Sequence, residues 1–128
     1  MKYRRDELLG FMKVLIKNPI PSGYEERVAD LILNKMEELG FDKVYRDKMG
    51  NVIGRISDGS NNPLLLFSGY MDVAAVGERE NWCLDPFWGE THKERIFGRG
   101  SVDMKGDIAS MIFGCSTIET EGISILFL

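Results

Sequence analysis

Gly98-Arg99-Gly100-Ser101-Val102-Asp103-Met104-Lys105-Gly106 decides how this chain reads. It joins an extended run, Glu94 to Phe97, to a helical pattern from Ile108 to about Ser116. Three glycines in nine residues let the backbone turn sharply and come close to a ligand. Asp103 stands where the helix is expected to begin, and the partial positive charge of a helix N-terminus favours an ionised carboxylate there. Two readings of Asp103 stand at this point. It is an N-cap of a plain turn, or it is a carboxylate suited to a hard or borderline cation.

A second stretch bears on the choice. Leu64-Leu65-Leu66-Phe67 is an apolar run of the kind expected of a strand buried on both faces. It ends at Ser68-Gly69-Tyr70-Met71-Asp72. Ligand groups gather at the carboxyl ends of such strands in α/β sheets. Two strand ends, each bringing one acid, are therefore expected to converge on one site.

At these residues the chain resembles a family of zinc-dependent peptidases and amidohydrolases. That family includes acetylornithine deacetylase, succinyl-diaminopimelate desuccinylase, aminoacylase and glutamate carboxypeptidase. Its pattern is a buried strand ending in Gly-His-x-Asp-x-Val-Pro, then a Trp, a Pro-Phe pair and Gly-Arg-Gly-x-x-Asp-x-Lys-Gly. The matching residues are Gly69-Tyr70-Met71-Asp72, Trp82, Pro86-Phe87 and Gly98 to Gly106. The resemblance implies an α/β fold, a mixed sheet flanked by helices. It makes residues 1–128 the N-terminal portion of a metallopeptidase-like catalytic domain, incomplete without a C-terminal half and a separate dimerisation domain. It implies two zinc ions bridged by Asp103, a metal-ligand position at Tyr70, and a catalytic-site role for Asp72 in orienting that ligand. It also implies peptide or N-acyl-amino-acid substrates and deacetylase-like chemistry. Two departures matter. Tyr70 stands where the family has a histidine, and a phenol of reference pKa near 10 is a poor zinc ligand at neutral pH. The family's Glu-Glu pair, which supplies the general base and a further ligand, would come after Leu128, as would its late histidine. Zinc is accordingly expected to be weakly held or absent. Val73 and Ala75 also differ from the usual threonine and proline.

Composition narrows the alternatives. The chain has 128 residues, 44% hydrophobic and 28% charged, ordinary for a soluble globular domain. A net charge of −4 gives no electrostatic case for nucleic acid or an anionic membrane. No apolar run approaches the roughly 20 residues of a membrane helix, and no signal-peptide core follows the basic start. Cys83 and Cys115 lack CxxC spacing, which fits reduced thiols and a cytoplasmic location.

Along the chain, Leu8, Phe11, Met12 and Leu15 mark one face of a helix from Arg5 to about Lys17, ended by Pro19 and Pro21. Ser22-Gly23-Tyr24-Glu25 has capping-box spacing, with Ser22 as N-cap. The helix it opens should run to Leu39, with Val28, Leu31, Ile32, Met36 and Leu39 inward and Gly40 as its stop. Strands are expected at Lys43–Asp47 and Asn51–Ile56 around the Met49-Gly50-Asn51 turn. Val73 to Gly89 reads as a long loop packed down by Trp82 and Phe87, and His92 as a solvated turn residue. Ile123 to Leu128 reads as an apolar strand with nothing after it to cover an edge, hence a site of self-association.

The functional readings are then a hydrolase-family domain inactive as this chain, a pseudoenzyme that binds or interacts without catalysis, or a binding module built on Trp82, Phe87 and Trp88.

Overall fold

The computed structural model describes residues 4–59, 64–119 and 124–127. Two amphipathic helices come first. α1, Arg5–Ile16, turns Phe11, Leu15 and Ile16 inward. α2, Glu26–Glu38, buries Val28, Ala29, Ile32 and Met36. It starts later than the capping-box spacing suggests: Glu25 is the N-cap and no side chain caps the helix. Glu25 instead accepts the Gly23 N–H at 2.7 Å. Gly40 ends the helix at φ +83°, a conformation that favours glycine.

Four strands form one mixed sheet. They are β1 (Lys43–Arg46), β2 (Val52–Ile56), β3 (Leu64–Phe67) and, after the turn at 98–104 and helix α3 (Lys105–Cys115), β6 (Ser124–Phe127). Between β3 and α3, β4 (Glu90–His92) and β5 (Arg95–Phe97) make a separate two-stranded hairpin. The large sheet runs β1-β2-β6-β3. β6 pairs antiparallel with β2 and parallel with β3, placing Leu65 opposite Ile125. Helix α2 packs on β1 and β2, and α1 packs on α3. The core between them includes Phe11, Leu15, Ile32, Met36, Ile112 and Ile125, with the Phe11 and Phe113 rings 6.2 Å apart.

Two expectations about the sheet are corrected. The Leu64–Phe67 strand is not buried on both faces: Leu64, Leu65 and Leu66 are 57%, 44% and 51% exposed. Among the described residues β3 is an outer strand, paired only with β6, so its side chains lack the second neighbour that an interior strand has. Conversely, the strand expected as a bare edge at Ile123 to Leu128 is interior. Ser124–Phe127 is hydrogen-bonded on both sides, and Ile125 is fully buried. Ile123 and Leu128 lie outside the described residues.

The hairpin of β4 and β5 was legible only in its second half. Its turn is Lys93-Glu94, with φ of +47° and +62°. Two successive left-handed residues match the primed turns that suit strand twist, here without the glycine or asparagine that marks them. His92 therefore lies in a strand. It is exposed, and its ring stands 6.4 Å from Trp88 and 6.0 Å from Phe97. Among the described residues no helix is long and apolar enough to cross a membrane. Both cysteines are free, Cys83 exposed and Cys115 buried.

Candidate functional site

The turn between β5 and α3 is built on backbone hydrogen bonds. Ser101 N–H reaches Gly98 O at 3.1 Å, and Lys105 N–H reaches Gly100 O at 2.9 Å. Gly100 has φ +90°, and a Cβ there would come within 2.9 Å of Val73 and 3.0 Å of Lys105. Glycine at this position therefore answers both to conformation and to crowding. Asp103 is not the N-cap of α3. That place falls to Met104, with no side-chain cap, and the Asp103–Met104 peptide is cis.

Lys105 fixes the turn from beneath. Its side chain has no exposed surface, and Nζ donates to Leu15 O and Asn18 O, each at 2.7 Å. An ammonium just past the end of α1 meets the negative end of the helix dipole, sharing Leu15 O with the Asn18 N–H. Burial lowers its pKa to about 8.

The two expected strand ends do converge. The Tyr70 hydroxyl donates to Asp103 Oδ1, and the Tyr70 amide donates to Met104 Sδ at 3.3 Å. That contact raises the Tyr70 pKa, chiefly because the hydrogen bond to Asp103 favours the protonated phenol. Asp72 is close by but faces another partner: Ser22 Oγ donates to Asp72 Oδ2. Ser22, expected to cap α2, thus belongs to this site. No local pattern could have revealed it, because its partner lies fifty residues away along the chain.

These residues line a cleft of about 1040 Å³, together with Pro21, Val73, Ala75, Trp82, Arg95 and Arg99. A second cavity of about 600 Å³ lies on the other side of Tyr70 and Asp72, walled by Glu25, Arg46, Asp47 and Asn51. Trp82 packs its loop as expected: Nε1 donates to Val76 O at 3.0 Å, and Arg99 lies over its ring at 5.0 Å. Arg99 also donates to Ala75 O at 3.1 Å, while its Nε is buried without a partner among the described residues. Phe87 lies under the Arg79 guanidinium at 5.4 Å and does not line the cleft.

Residues 66–127 match the family described as Peptidase family M20/M25/M40. They contain both converging turns, Gly69 to Asp72 and Gly98 to Gly106. This stretch of the chain matches that peptidase family, and what the match implies for the whole chain is an inference. The chain is 36% identical over 117 residues to the uncharacterized protein YgeY of Escherichia coli K12, covering 91% of this chain and 28% of YgeY. It is 32% identical over 108 residues to a succinyl-diaminopimelate desuccinylase of Nitrosospira multiformis, covering 84% of this chain and 28% of that enzyme. The chain thus spans 28% of the length of these relatives. Its fold superposes with a TM-score of 0.77 on an M20 family metallo-carboxypeptidase of Sulfolobus solfataricus, at 22% identity, covering 99% of this chain and 30% of that one.

The donor set can be weighed against the metals of such relatives. Tyr70 offers a protonated phenol that is already donating, and Asp103 offers a carboxylate that is already accepting. Among the described residues, no three of His, Cys, Asp and Glu converge as a metal-holding group. A zinc ion normally takes four ligands, three of them from protein in a catalytic site.

Proposed function

We propose that residues 1–128 correspond to the N-terminal portion of a metallopeptidase-like catalytic domain, of the peptidase or N-acyl-amino-acid amidohydrolase type, and that this polypeptide does not hydrolyse such substrates by itself. The observation that carries the reading is the hydrogen bond from Tyr70 to Asp103. The phenol stands at the position the resemblance gives to a histidine ligand, and it holds Asp103, a family ligand that is unchanged. Asp72 keeps its position, but its carboxylate is bonded to Ser22 rather than directed at residue 70. The family match and the long coverage of this chain by its relatives support hydrolase ancestry. In those relatives we take zinc to be the metal, and peptides or acylated amino acids to be the substrates. In this chain zinc is weakly held or absent, and no hydrolytic step is assigned.

The aromatic binding-module reading draws on Trp82 alone, since neither Phe87 nor Trp88 lines the cleft.

Elemental analysis after desalting, paired with an assay on N-acetyl amino acids with and without chelator, tests the proposal. The expected result is well under two zincs per chain and no chelator-sensitive turnover. Two tightly held zincs with turnover that chelator abolishes would overturn it.

A further inference from the structure

We infer that Tyr70 and Asp103 form a direct side-chain clasp that joins the end of β3 to the turn before α3, at the place where relatives would use a shared metal. This rests on the reading that Tyr70 is not a zinc ligand.

The geometry supplies the argument. Tyr70 holds two consecutive residues of the facing turn by two different groups: its hydroxyl holds Asp103, and its amide holds Met104 Sδ at 3.3 Å. The adjoining backbone is close as well. A Cβ placed on Gly69 would come within 3.0 Å of the Met104 methyl, so the two turns already pack without a gap. Asp72, the other carboxylate here, is separately occupied by Ser22. Each acid of the cleft thus accepts from a neutral hydroxyl of this same chain.

A carboxylate that accepts a phenolic hydrogen has given one acceptor position to a group standing in the path of an arriving cation. A divalent ion that takes Asp103 Oδ1 in place of that hydrogen gains one carboxylate oxygen in return and loses the tie to Tyr70. A metal bridge ties strand ends together by pulling several ligands onto one ion. The clasp ties the same ends with one hydrogen bond to a charged acceptor, the stronger kind of side-chain bond. It requires neither metal nor any other chain segment.

The test is a double-mutant cycle on the full chain, read by thermal unfolding and by amide exchange over residues 98–104, in chelator and in zinc. Tyr70→Phe removes only the hydroxyl. It should shift the unfolding midpoint downward and speed exchange in that turn, equally in both solutions. Asp103→Ala should do the same. In the Asp103→Ala background, adding Tyr70→Phe should produce no further shift, because the clasp is already lost; such coupling is what contacting residues show and independent ones do not. Additive shifts, or a Tyr70→Phe chain indistinguishable from the unmodified one, would overturn the clasp. So would an unmodified chain whose midpoint zinc raises through Asp103. Chelator-sensitive turnover by the unmodified chain is a separate outcome, one that strikes at the proposed function itself.

Discussion

Lys105 and Cys115 are buried ionisable groups at opposite ends of α3, and they respond to pH in opposite directions. Burial holds the Lys105 ammonium down to about 8 from an ordinary 10.5, so between those values the unfolded chain binds the extra proton and stability rises with pH. Burial pushes the Cys115 thiol up to about 11 from an ordinary 9.0, so between those values the unfolded chain loses its proton first and stability falls. Urea unfolding as a function of pH should therefore show stability climbing from about pH 8 to 9 and then levelling. Cys115→Ala should extend the climb toward pH 10.5. A level profile in that variant would mean that Lys105 does not carry the effect. At the cleft, Tyr70→His should bring a histidine beside Asp103 yet yield no turnover on N-acetyl amino acids. A positioned general base typically contributes about 10²–10⁴-fold, and that substitution supplies none. Chelator-sensitive turnover in the variant would refute this. The residues of the site were unevenly legible. Asp103 was found because it follows a glycine-rich turn into a helix, and Tyr70 because it stands where the resembled family has a histidine. Ser22 was hidden because its short-range pattern, a serine three before a glutamate, reads as a cap. Its bond to Asp72 depends on how the β3 end is brought to the start of α2.

At the scale of elements, the two outer strands of the large sheet are protected unequally. β1 carries Lys43 and Arg46, charges that discourage pairing with another chain. β3 carries three exposed leucines and no charge. Association between copies, expected from sequence at the C-terminal strand, is therefore expected at β3. Leu65→Lys should lower light scattering at high concentration without unfolding the chain. Ile125→Lys, one strand inward, should unfold it, because that side chain has no exposure and an unpaired charge would enter the core. Scattering unaffected by Leu65→Lys would remove β3 from the account. Inside the sheet, Gly54 is set by packing. A Cβ would lie 2.5 Å from Met36 Sδ and 2.8 Å from Phe41 Cδ1, so Gly54→Ala should destabilise by about 1–3 kcal/mol, the usual cost of overpacking, as measured by urea unfolding. These cases show where sequence stops being readable. An apolar run such as Leu64 to Phe67 announces a strand, and its bounds were right, but nothing in it says whether neighbours flank it on both sides. β4 was missed for the converse reason: Lys93-Glu94 makes a tight turn with residues that do not advertise one.

Across the whole molecule, the small hairpin is moored to the helical layer by charge. Glu90 of β4 pairs with Lys17, the C-cap of α1, and with Lys13 of α1 at 3.0 Å, and these contacts hold its carboxyl below the usual range. Buried Lys105 then joins α3 to the end of α1, so α1 supports both the hairpin and the turn that follows it. The large sheet has the opposite organisation: among the described residues its halves meet only through β6. β1 and β2 are joined by a short turn, whereas Leu64 of β3 finds its partner at Ser124. A chain ended before Ser124 should keep helical circular dichroism but lose its cooperative thermal transition; a sharp transition in that shortened chain would contradict this reading. The strand order also has a temporal side. Translation runs from N- to C-terminus at roughly 5–20 residues per second, so several seconds separate the emergence of the leucine strand from that of its partner. During that interval Leu64 to Phe67 leaves the ribosome as an unpaired hydrophobic ribbon, the kind of segment that holdase chaperones retain until the missing neighbour arrives.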